Sequence, residues 1–181
     1  LNKGQTIIYV SKDDEYIGYY SVSDNIKESS KNAIEILKKK GKRIILLTGD
    51  NAKSASYFGS LVGIDEIISD VKPEDKLNVI SSLQKEGLKV AMVGDGINDS
   101  PSLIKSDVGI AIGAGSDIAI DSASIILIKS DLMDVVKSME LSKKVKNKIK
   151  TNLFWAFFYN SIAIPFAAGI LYFPPIYFAL N

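Results

Sequence analysis

The stretch KVAMVGDGINDSPSL, residues 89–103, decides the fold class. Its first five residues form a short continuous apolar run, which is typical of a strand covered on both faces in a parallel sheet. Three other runs share this character: RIILL (43–47), VGIAI (108–112) and SIILI (124–128). Because helical patterns separate these runs, the sequence predicts a doubly wound α/β domain with a parallel sheet. Ligands of such a domain bind beyond the carboxyl ends of the strands.

The other predicted elements are a hairpin and four helices. TIIYV (6–10) and EYIGYYSV (15–22) flank the turn-like Lys12-Asp13-Asp14 and predict a β-hairpin. The helices are predicted from the spacing of their apolar residues and from their end signals. They are a helix after Ser29-Ser30 that ends at Gly41, one from about Ala52 to Leu61, one opened by Pro73, and one from about Asp131.

Acidic residues follow two of the predicted strands. RIILL runs into Thr48-Gly49-Asp50-Asn51, and KVAMV runs into Gly94-Asp95-Gly96-Ile97-Asn98-Asp99. Since parallel strands deliver both turns to one edge of the sheet, we expect Asp95 and Asp99 to converge on one hard cation. Oxygen ligands beside backbone amides suit Mg²⁺ with a phosphate better than a softer metal.

Two further side chains can bind a phosphate at this edge. The Thr48 hydroxyl can donate to a phosphate oxygen, and Lys76, near the start of the helix opened by Pro73, supplies a positive charge. Each residue also has a purely structural interpretation. Asp50 and Asp99 are candidate helix N-caps, and Lys76 taken alone is typical of a solvated helix lysine. The density of acids and amides in GDGINDSP favours a functional interpretation of that cluster.

Composition excludes several classes of chemistry. The 181 residues include no Cys and no His, which removes disulfides, thiolate metal sites, cysteine nucleophiles and Ser-His-Asp triads. Lys and Arg number 22 against 21 Asp and Glu, so the net charge does not indicate a nucleic-acid partner. The glycine-rich nucleotide-binding fingerprints are absent, because Asp99 and Ile118 stand where a third glycine is needed and no GxxxxGK[ST] occurs.

Charge is absent from the C-terminal part of the chain, residues 151–181. The apolar run from Leu153 to Leu171 has 19 residues, close to the roughly 20 that a helix needs to cross a bilayer. Aromatic residues lie near both of its ends, as in interfacial belts, and Pro165 predicts a kink inside it. The basic flank KKVKNKIK (143–150) predicts that the preceding domain is cytoplasmic. We therefore expect an integral membrane protein of the plasma membrane, with a second span beginning after Pro174-Pro175.

Five motifs occur in a recognisable order: TGDN (48–51), KPEDK (72–76), GDGINDSPSL (94–103), DVGIAIGAGSDIAIDSASIILIKSDL (107–132) and NLFWAFFYN (152–160). Together they resemble the C-terminal part of a P-type ATPase, specifically a heavy-metal ATPase of the copper(I) class. The copper assignment rests on NLFWAFFYN and the following IPFAAG. The resemblance covers nearly the whole chain and implies a partial haloacid-dehalogenase-like fold, a doubly wound parallel sheet, followed by a transmembrane helix and the start of another.

The resemblance implies an ATP-driven pump with an aspartyl-phosphate intermediate, and it assigns roles to residues of this chain. The residues implied to handle the phosphoryl group, the nucleotide and Mg²⁺ share the predicted sheet edge: Thr48 and Gly49 for the phosphoryl group, Asp50 for placing ATP, Lys76 for the phosphate, Asp95 for Mg²⁺, and Asn98 and Asp99 for the rest of the Mg²⁺ shell. Phosphoryl transfer is mostly positioning and charge neutralisation, which agrees with the residue types present.

Two membrane residues are implied to contact the transported ion. Tyr159 and Asn160 resemble a tyrosine–asparagine pair that contributes to the intramembrane copper(I) site. Polar groups at that depth favour a function, and an interhelical hydrogen bond is the structural alternative.

The resemblance also divides the chain and implies its partners. Residues 1–22 would end a nucleotide-binding domain, residues 23–141 would form the C-terminal part of the phosphorylation domain, and residues 142–181 would form a basic linker helix and membrane segment. The implied partners are membrane lipid, the remainder of the pump with its actuator domain, nucleotide domain and other transmembrane helices, and a copper chaperone.

The sequence departs from the family pattern in ways that keep alternatives open. No DKTGT occurs, so the aspartate that ATP phosphorylates is missing and this section alone is expected to be inactive. Either the chain is a section of a longer pump, or it is a truncated, non-catalytic Mg²⁺/phosphate-binding or regulatory membrane protein. Zinc or cadmium is the alternative transported ion. A membrane-anchored phosphatase of the same fold is disfavoured, because Asp24 is the only early candidate nucleophile and no second Asp follows two residues later.

Overall fold

The computed structural model describes residues 6–22, 25–95, 98–113 and 121–169. The chain divides into two compact units, Leu1–Lys137 and Ser138–Asn181. The first unit contains all of the strands that the structure describes and four of the described helices, and the second unit contains most of the last helix.

The predicted hairpin is confirmed. Strand β1 (Thr6–Lys12) pairs antiparallel with β2 (Glu15–Val22), and a bulge falls between Val10 and Ser11. The turn residues Asp13 and Asp14 have φ angles of 49° and 63°. Two successive left-handed residues form the turn that matches the twist of a two-residue hairpin, and aspartate tolerates that conformation.

Parallel pairing is also confirmed, but in two sheets and not one. Strand β3 (Ile45–Leu47) pairs with β4 (Glu66–Ile68), while β5 (Ala91–Gly94), β6 (Val108–Ile112) and β7 (Ile125–Leu127) form a second sheet in that order. Every pairing within these two sheets is parallel. The predicted parallel α/β architecture is therefore present, and among the described residues no hydrogen-bonded ladder joins the β3–β4 pair to the sheet of β5, β6 and β7.

Four of the described helices lie close to their predicted positions, and the short helix that follows Asp99 is an addition to them. The helices are α1 (Glu28–Lys39), α2 (Ala52–Val62), α3 (Pro73–Lys85), α4 (Ser100–Lys105) and α5 (Met133–Ala167). One start signal was misassigned, since Ser29 and Ser30 lie in the first turn of α1 and do not precede it. Gly41 follows the end of α1 with a φ of 71°, a left-handed conformation that glycine adopts without strain.

The core of the first unit brings α4 against the second sheet. Leu103 of α4, 1% exposed, packs with Ala111 of β6, and Met92 and Ala123 lie against this pair. A Cβ added to Gly109 would lie 2.6 Å from the carbonyl oxygen of Leu103, so only glycine allows the helix and the strand to approach so closely. This contact fixes α4, and with it the residues that immediately precede α4 in the chain.

A polar cluster joins the opposite, amino ends of β5 and β6. The Asp107 carboxylate accepts hydrogen bonds from Lys89 Nζ (2.8 Å), Gln84 Nε2 (3.1 Å) and the Val90 amide (3.0 Å). These hydrogen bonds, of which the one from Lys89 has the largest effect, hold the pKa of Asp107 well below its usual range. The cluster therefore connects the end of α3 to the starts of both strands.

Replacing this carboxylate should weaken the fold in a pH-dependent way. Because the pKa of Asp107 is lower in the folded chain, its contribution to stability is present above the ordinary aspartate pKa and is lost as the pH falls toward the lowered value. We expect Asp107→Asn to lower the melting temperature by a few degrees at pH 7. The difference in melting temperature between the variant and the unsubstituted chain should become smaller as the pH falls below about 4. Asp65→Asn is the control, because the Asp65 side chain is 87% exposed. A difference in melting temperature that did not change with pH would contradict the stabilising role of the Asp107 carboxylate.

Helix α5 carries the predicted membrane segment. Pro165 lies within the helix, and the helix ends at Ala167. Among the described residues, no helix combines the length and the apolar character that crossing a bilayer requires. Ile170 and Leu171 of the predicted span, and the predicted start of a second span, lie outside the described residues. The transmembrane helix thus stays a prediction.

Candidate functional site

The carboxyl end of β3 forms a compact turn around Thr48. The Thr48 hydroxyl donates to Asp50 Oδ2 (3.0 Å) and accepts from the Asp50 amide (3.1 Å). Gly49 lies against the Val71 carbonyl oxygen, which would be 3.3 Å from an added Cβ. The turn holds Thr48, Gly49 and Asp50 together, as predicted, and in this structure the Thr48 hydroxyl proton is directed to Asp50.

The chain that leaves β4 closes over the same turn. Three backbone hydrogen bonds join the two segments. The Thr48 amide donates to the Ile68 carbonyl oxygen (3.0 Å), the Asp70 amide donates to the Asp50 carbonyl oxygen (2.9 Å), and the Val71 amide donates to the Thr48 carbonyl oxygen (3.2 Å). Asp70 has a φ of 56°, a left-handed conformation that aspartate tolerates better than most residues. The sequence does not predict β4 or these hydrogen bonds, because the strand EII is only three residues long and the helices on either side have a stronger apolar pattern.

The second part of the site lies at the carboxyl end of β5. Lys76 Nζ donates to Asp99 Oδ1 at 2.7 Å, and the two side chains are 15% and 14% exposed. Asp99 lies over Gly94, where an added Cβ would be 2.5 Å from Asp99 Oδ2. Glycine at position 94 therefore leaves the space that the Asp99 carboxylate occupies.

A short segment connects the two parts. Val71, bonded to Thr48, is followed after one residue by Pro73, the first residue of α3. Lys76 lies in the first turns of that helix, and its amide donates to the Lys72 oxygen (3.2 Å). The residues before α3 are thus bonded to the β3 turn, and the start of α3 places the positively charged side chain of Lys76 at Asp99.

The structural alternatives for these residues are mostly wrong. Asn51 and not Asp50 caps α2, because its side chain accepts from the Ser54 amide (3.0 Å). Asp99 occupies the N-cap position of α4, but its side chain makes no capping hydrogen bond and pairs with Lys76. Lys76 is not a solvated helix lysine, since it is mostly buried in that ion pair.

The remaining predicted metal ligands, Asp95 and Asn98, are close to Asp99 in the chain. Asp95 directly follows β5 and is exposed, as is Asn98, which precedes Asp99. Gly96 and Ile97 of the same motif lie outside the described residues. Within the described part of the chain, no group of three acidic residues gathers into a ready-made metal site. The donors present are nonetheless carboxylate and amide oxygens, the kind of ligand that Mg²⁺ prefers.

The predicted ion-path residues lie in the second unit. Tyr159 and Asn160 are both on α5, and Tyr159 is 71% exposed. An aromatic cluster of Phe154, Trp155 and Phe158 lies just before them, with ring centroids 5.6 to 5.8 Å apart.

Comparison with known proteins decides the family. A family model described as haloacid dehalogenase-like hydrolase matches residues 1–107. The chain belongs to this family. Among the haloacid dehalogenase-like proteins, it is homologous to copper-transporting P-type ATPases, which confirms the resemblance seen in its motifs.

Two relatives and one solved structure define this homology. The chain is 46% identical to Copper-transporting ATPase 1 of Mus musculus over 168 residues, which are 93% of this chain and 11% of that protein. It is 51% identical to Probable copper-transporting ATPase HMA5 of Arabidopsis thaliana, again over 93% of this chain and 17% of the relative. The crystal structure of a zinc-transporting PIB-type ATPase in the E2.Pi state matches 93% of this chain and 28% of its own, with a TM-score of 0.78 and 31% identity. The chain thus spans less than a fifth of these curated relatives.

Proposed function

We propose that this chain is a section of an ATP-driven pump that moves copper(I) across a membrane through an aspartyl-phosphate intermediate. The observation that carries the proposal is the 46 to 51% identity to copper-transporting ATPases over 93% of the chain. The haloacid dehalogenase-like fold supports the same chemistry, because its site lies at the carboxyl ends of parallel strands.

Copper is favoured over zinc by the degree of similarity. The zinc-transporting structure covers the same share of this chain as the copper-transporting relatives, yet its identity is 31%. The membrane part supports the same choice, because its motifs NLFWAFFYN and IPFAAG resemble those of the copper(I) class. Zinc or cadmium remains the alternative for the test below.

The phosphate would be held by the two parts of the site. Thr48 and Gly49 would bind the phosphoryl oxygens through the hydroxyl and the backbone, and Asp50 would orient Thr48 and the nucleotide loop. Lys76 would neutralise phosphate charge, exchanging its contact with Asp99 for one with the phosphate. The mostly buried ion pair with Asp99 would hold the Lys76 side chain in position for the phosphate.

The Mg²⁺ ligands would come from the turn after β5. Asp95 would bind the ion directly, and Asn98 and Asp99 would complete its shell, because all three present hard oxygen donors within five residues. When bound, Mg²⁺ would supply charge neutralisation for phosphoryl transfer. The protein's part is to keep Asp99 in place, which Gly94 and Lys76 do here.

The phosphorylated aspartate would be supplied by another part of the pump, because this sequence contains no DKTGT. In the described residues β3 is paired only with β4, and β5 only with β6. We place the missing strand between the free edges of β3 and β5, where its carboxyl end would face both Thr48 and Asp95. The hairpin of β1 and β2 would belong to the nucleotide-binding domain, residues 23–141 to the phosphorylation domain, and residues 142–181 to the linker helix and membrane segment.

The membrane part of the proposal concerns the second unit. The apolar segment 153–171, of which residues 153–167 lie in α5, would cross the membrane of a plasma-membrane protein, with the first unit in the cytoplasm. Tyr159 and Asn160 would contribute oxygen donors or hydrogen bonds to the copper(I) path. A copper chaperone would deliver the ion, and lipid and the rest of the pump would surround the helix.

Metal-stimulated hydrolysis tests the proposal in the complete polypeptide that carries this sequence. Copper(I) should stimulate ATP hydrolysis and phosphoenzyme formation, and Asp95→Asn should reduce the phosphoenzyme to background while the fold is retained. Glu35→Gln is the matched control, because Glu35 lies on the exposed face of α1.

Three results would overturn the proposal in part or as a whole. Stimulation by zinc and not by copper(I) would remove the copper assignment and the roles of Tyr159 and Asn160. A normal phosphoenzyme level in Asp95→Asn would remove the metal-ligand role. A native polypeptide close to 19.7 kDa would instead favour the non-catalytic alternative.

A further inference from the structure

The first half of the second unit carries a concentrated positive charge. Five lysines lie within eight residues of α5, and all five are exposed: Lys143, Lys144, Lys146, Lys148 and Lys150. No ion pair with a residue that the structure describes involves any of them. Their charges are therefore not neutralised within the described part of the chain.

This charge is a property of the segment and not of the whole protein. The chain has a net charge of +1, with 22 basic and 21 acidic residues. Without these five lysines, 17 basic residues would face 21 acidic ones, a net charge of −4. Glu140 is the last acidic residue of the sequence, so the positive charge is followed only by uncharged residues.

The lysines and the apolar residues occupy different faces of the helix. Leu141, Val145 and Ile149 recur every four residues, which places them in one stripe, and they are 63%, 48% and 60% exposed. At 3.6 residues per turn, the five lysines cover the remaining arc of roughly 200°. The segment from residue 141 to residue 150, termed the lysine segment below, is thus a basic amphipathic helix.

The aromatic cluster follows Lys150, the last lysine of the segment, at the distance expected for a membrane interface. Trp155 lies five residues after Lys150, which is about 7.5 Å along a helix. The headgroup layer on one side of a bilayer is about 5 to 7 Å thick, and aromatic rings concentrate at its inner boundary. Long lysine side chains extend from a helix toward phosphate groups at that level.

From these observations we propose that the lysine segment is a binding site for the anionic phospholipid headgroups of the membrane that the pump occupies. The proposal rests on the proposed membrane helix and goes beyond it. Positive charge alone is enough to set which side of the membrane the segment occupies, whereas a binding site predicts that anionic lipids are selected over neutral ones at this segment. Attraction to anionic lipid amounts to several-fold in affinity for each lysine held near the surface.

Trp155 provides a direct measurement, because it is the only tryptophan of the chain. The 181-residue chain is reconstituted into phosphatidylcholine bilayers that contain either brominated phosphatidylserine or brominated phosphatidylcholine as the quencher of tryptophan fluorescence. We expect the brominated phosphatidylserine to bind beside Trp155 about fivefold more strongly than the brominated phosphatidylcholine, and 1 M salt to reduce this preference.

Two matched variants separate the lysine segment from general charge. In the first, the five lysines of the segment are replaced by glutamine, a helix former of similar propensity, and the preference should fall to about one. In the second, five exposed lysines elsewhere are replaced by glutamine, and the preference should be retained: Lys12, Lys31, Lys42, Lys85 and Lys105. Circular dichroism checks that both variants keep their helices.

The quenching results separate failure of the headgroup site from failure of the proposed membrane helix. Equal quenching by both lipids in the unsubstituted chain would overturn the headgroup site and leave the membrane helix intact, with an acidic surface of the pump as the alternative occupant. Loss of the preference in both variants would also overturn the site, because net charge alone would explain it. Absence of quenching by either lipid would overturn the membrane helix and the site together.

Discussion

Lys76→Met should lower the free energy of unfolding by about 2 kcal/mol, because it removes the ion-pair partner of Asp99, whose side chain is only 14% exposed. An exposed ion pair contributes roughly 0 to 1 kcal/mol, while breaking a fully buried pair costs about 3 to 5 kcal/mol. The pair of Lys76 and Asp99 lies between these limits. Chemical denaturation of the chain with urea measures the difference.

The control is a pair of the same chemistry in solvent. Lys39 Nζ lies 2.6 Å from Glu35 Oε1, but the two side chains are 72% and 60% exposed. Lys39→Met should therefore change stability very little. If Lys39→Met and Lys76→Met destabilised the chain equally, the burial of the Lys76 pair would not be the cause.

A double variant separates the structural role of this pair from its proposed catalytic role. Lys76→Met combined with Asp99→Asn removes both charges, so it should recover a substantial part of the lost stability. In the complete pump, however, the double variant should remain without phosphoenzyme, because the proposed phosphate-binding cation and Mg²⁺ ligand are both gone. Recovery of activity together with stability would show that the pair is structural only.

The strand ends could be predicted from sequence because two independent signals coincide there. Continuous apolar runs located β3 and β5, and the turns after them contain Thr48, Asp50 and Asp99. The structure pairs Thr48 with Asp50, and it pairs Asp99 with Lys76 from the start of α3. Connectivity alone makes parallel strands of an α/β chain present their carboxyl ends to the same side.

The choice among neighbouring residues could not be predicted, since it depends on local geometry. Asp50 and Asn51 are both good N-cap residues, and in the structure Asn51 caps α2 while Asp50 is bonded to Thr48. The three-residue strand β4 has too little pattern to be distinguished from a loop. Sheet organisation was also beyond the sequence, because pairing between strands depends on long-range contacts that apolar runs do not specify.

Gly109→Ala should have a larger effect on stability than any surface substitution, although it adds one methyl group. The new Cβ would lie 2.6 Å from the oxygen and 3.0 Å from the carbon of the Leu103 carbonyl, and backbone atoms cannot rotate away as a side chain can. Helix α4 would have to move away from β6, and the packing of Leu103, now 1% exposed, would be lost in part. Overpacking of this kind costs about 3 kcal/mol.

The effect should reach the candidate site, because Asp99 directly precedes α4 and its oxygen accepts from the Leu103 amide at 2.8 Å. A shift of α4 therefore moves Asp99 relative to Lys76. Gly18→Ala is the matched control, since a Cβ at Gly18 meets no atom within 4 Å and should leave stability unchanged or slightly raised. In the complete pump, Gly109→Ala should also lower the phosphoenzyme level, whereas Gly18→Ala should not. A stable Gly109→Ala chain would contradict the close contact between α4 and β6, and a destabilised one with a normal phosphoenzyme level would show that α4 does not position Asp99.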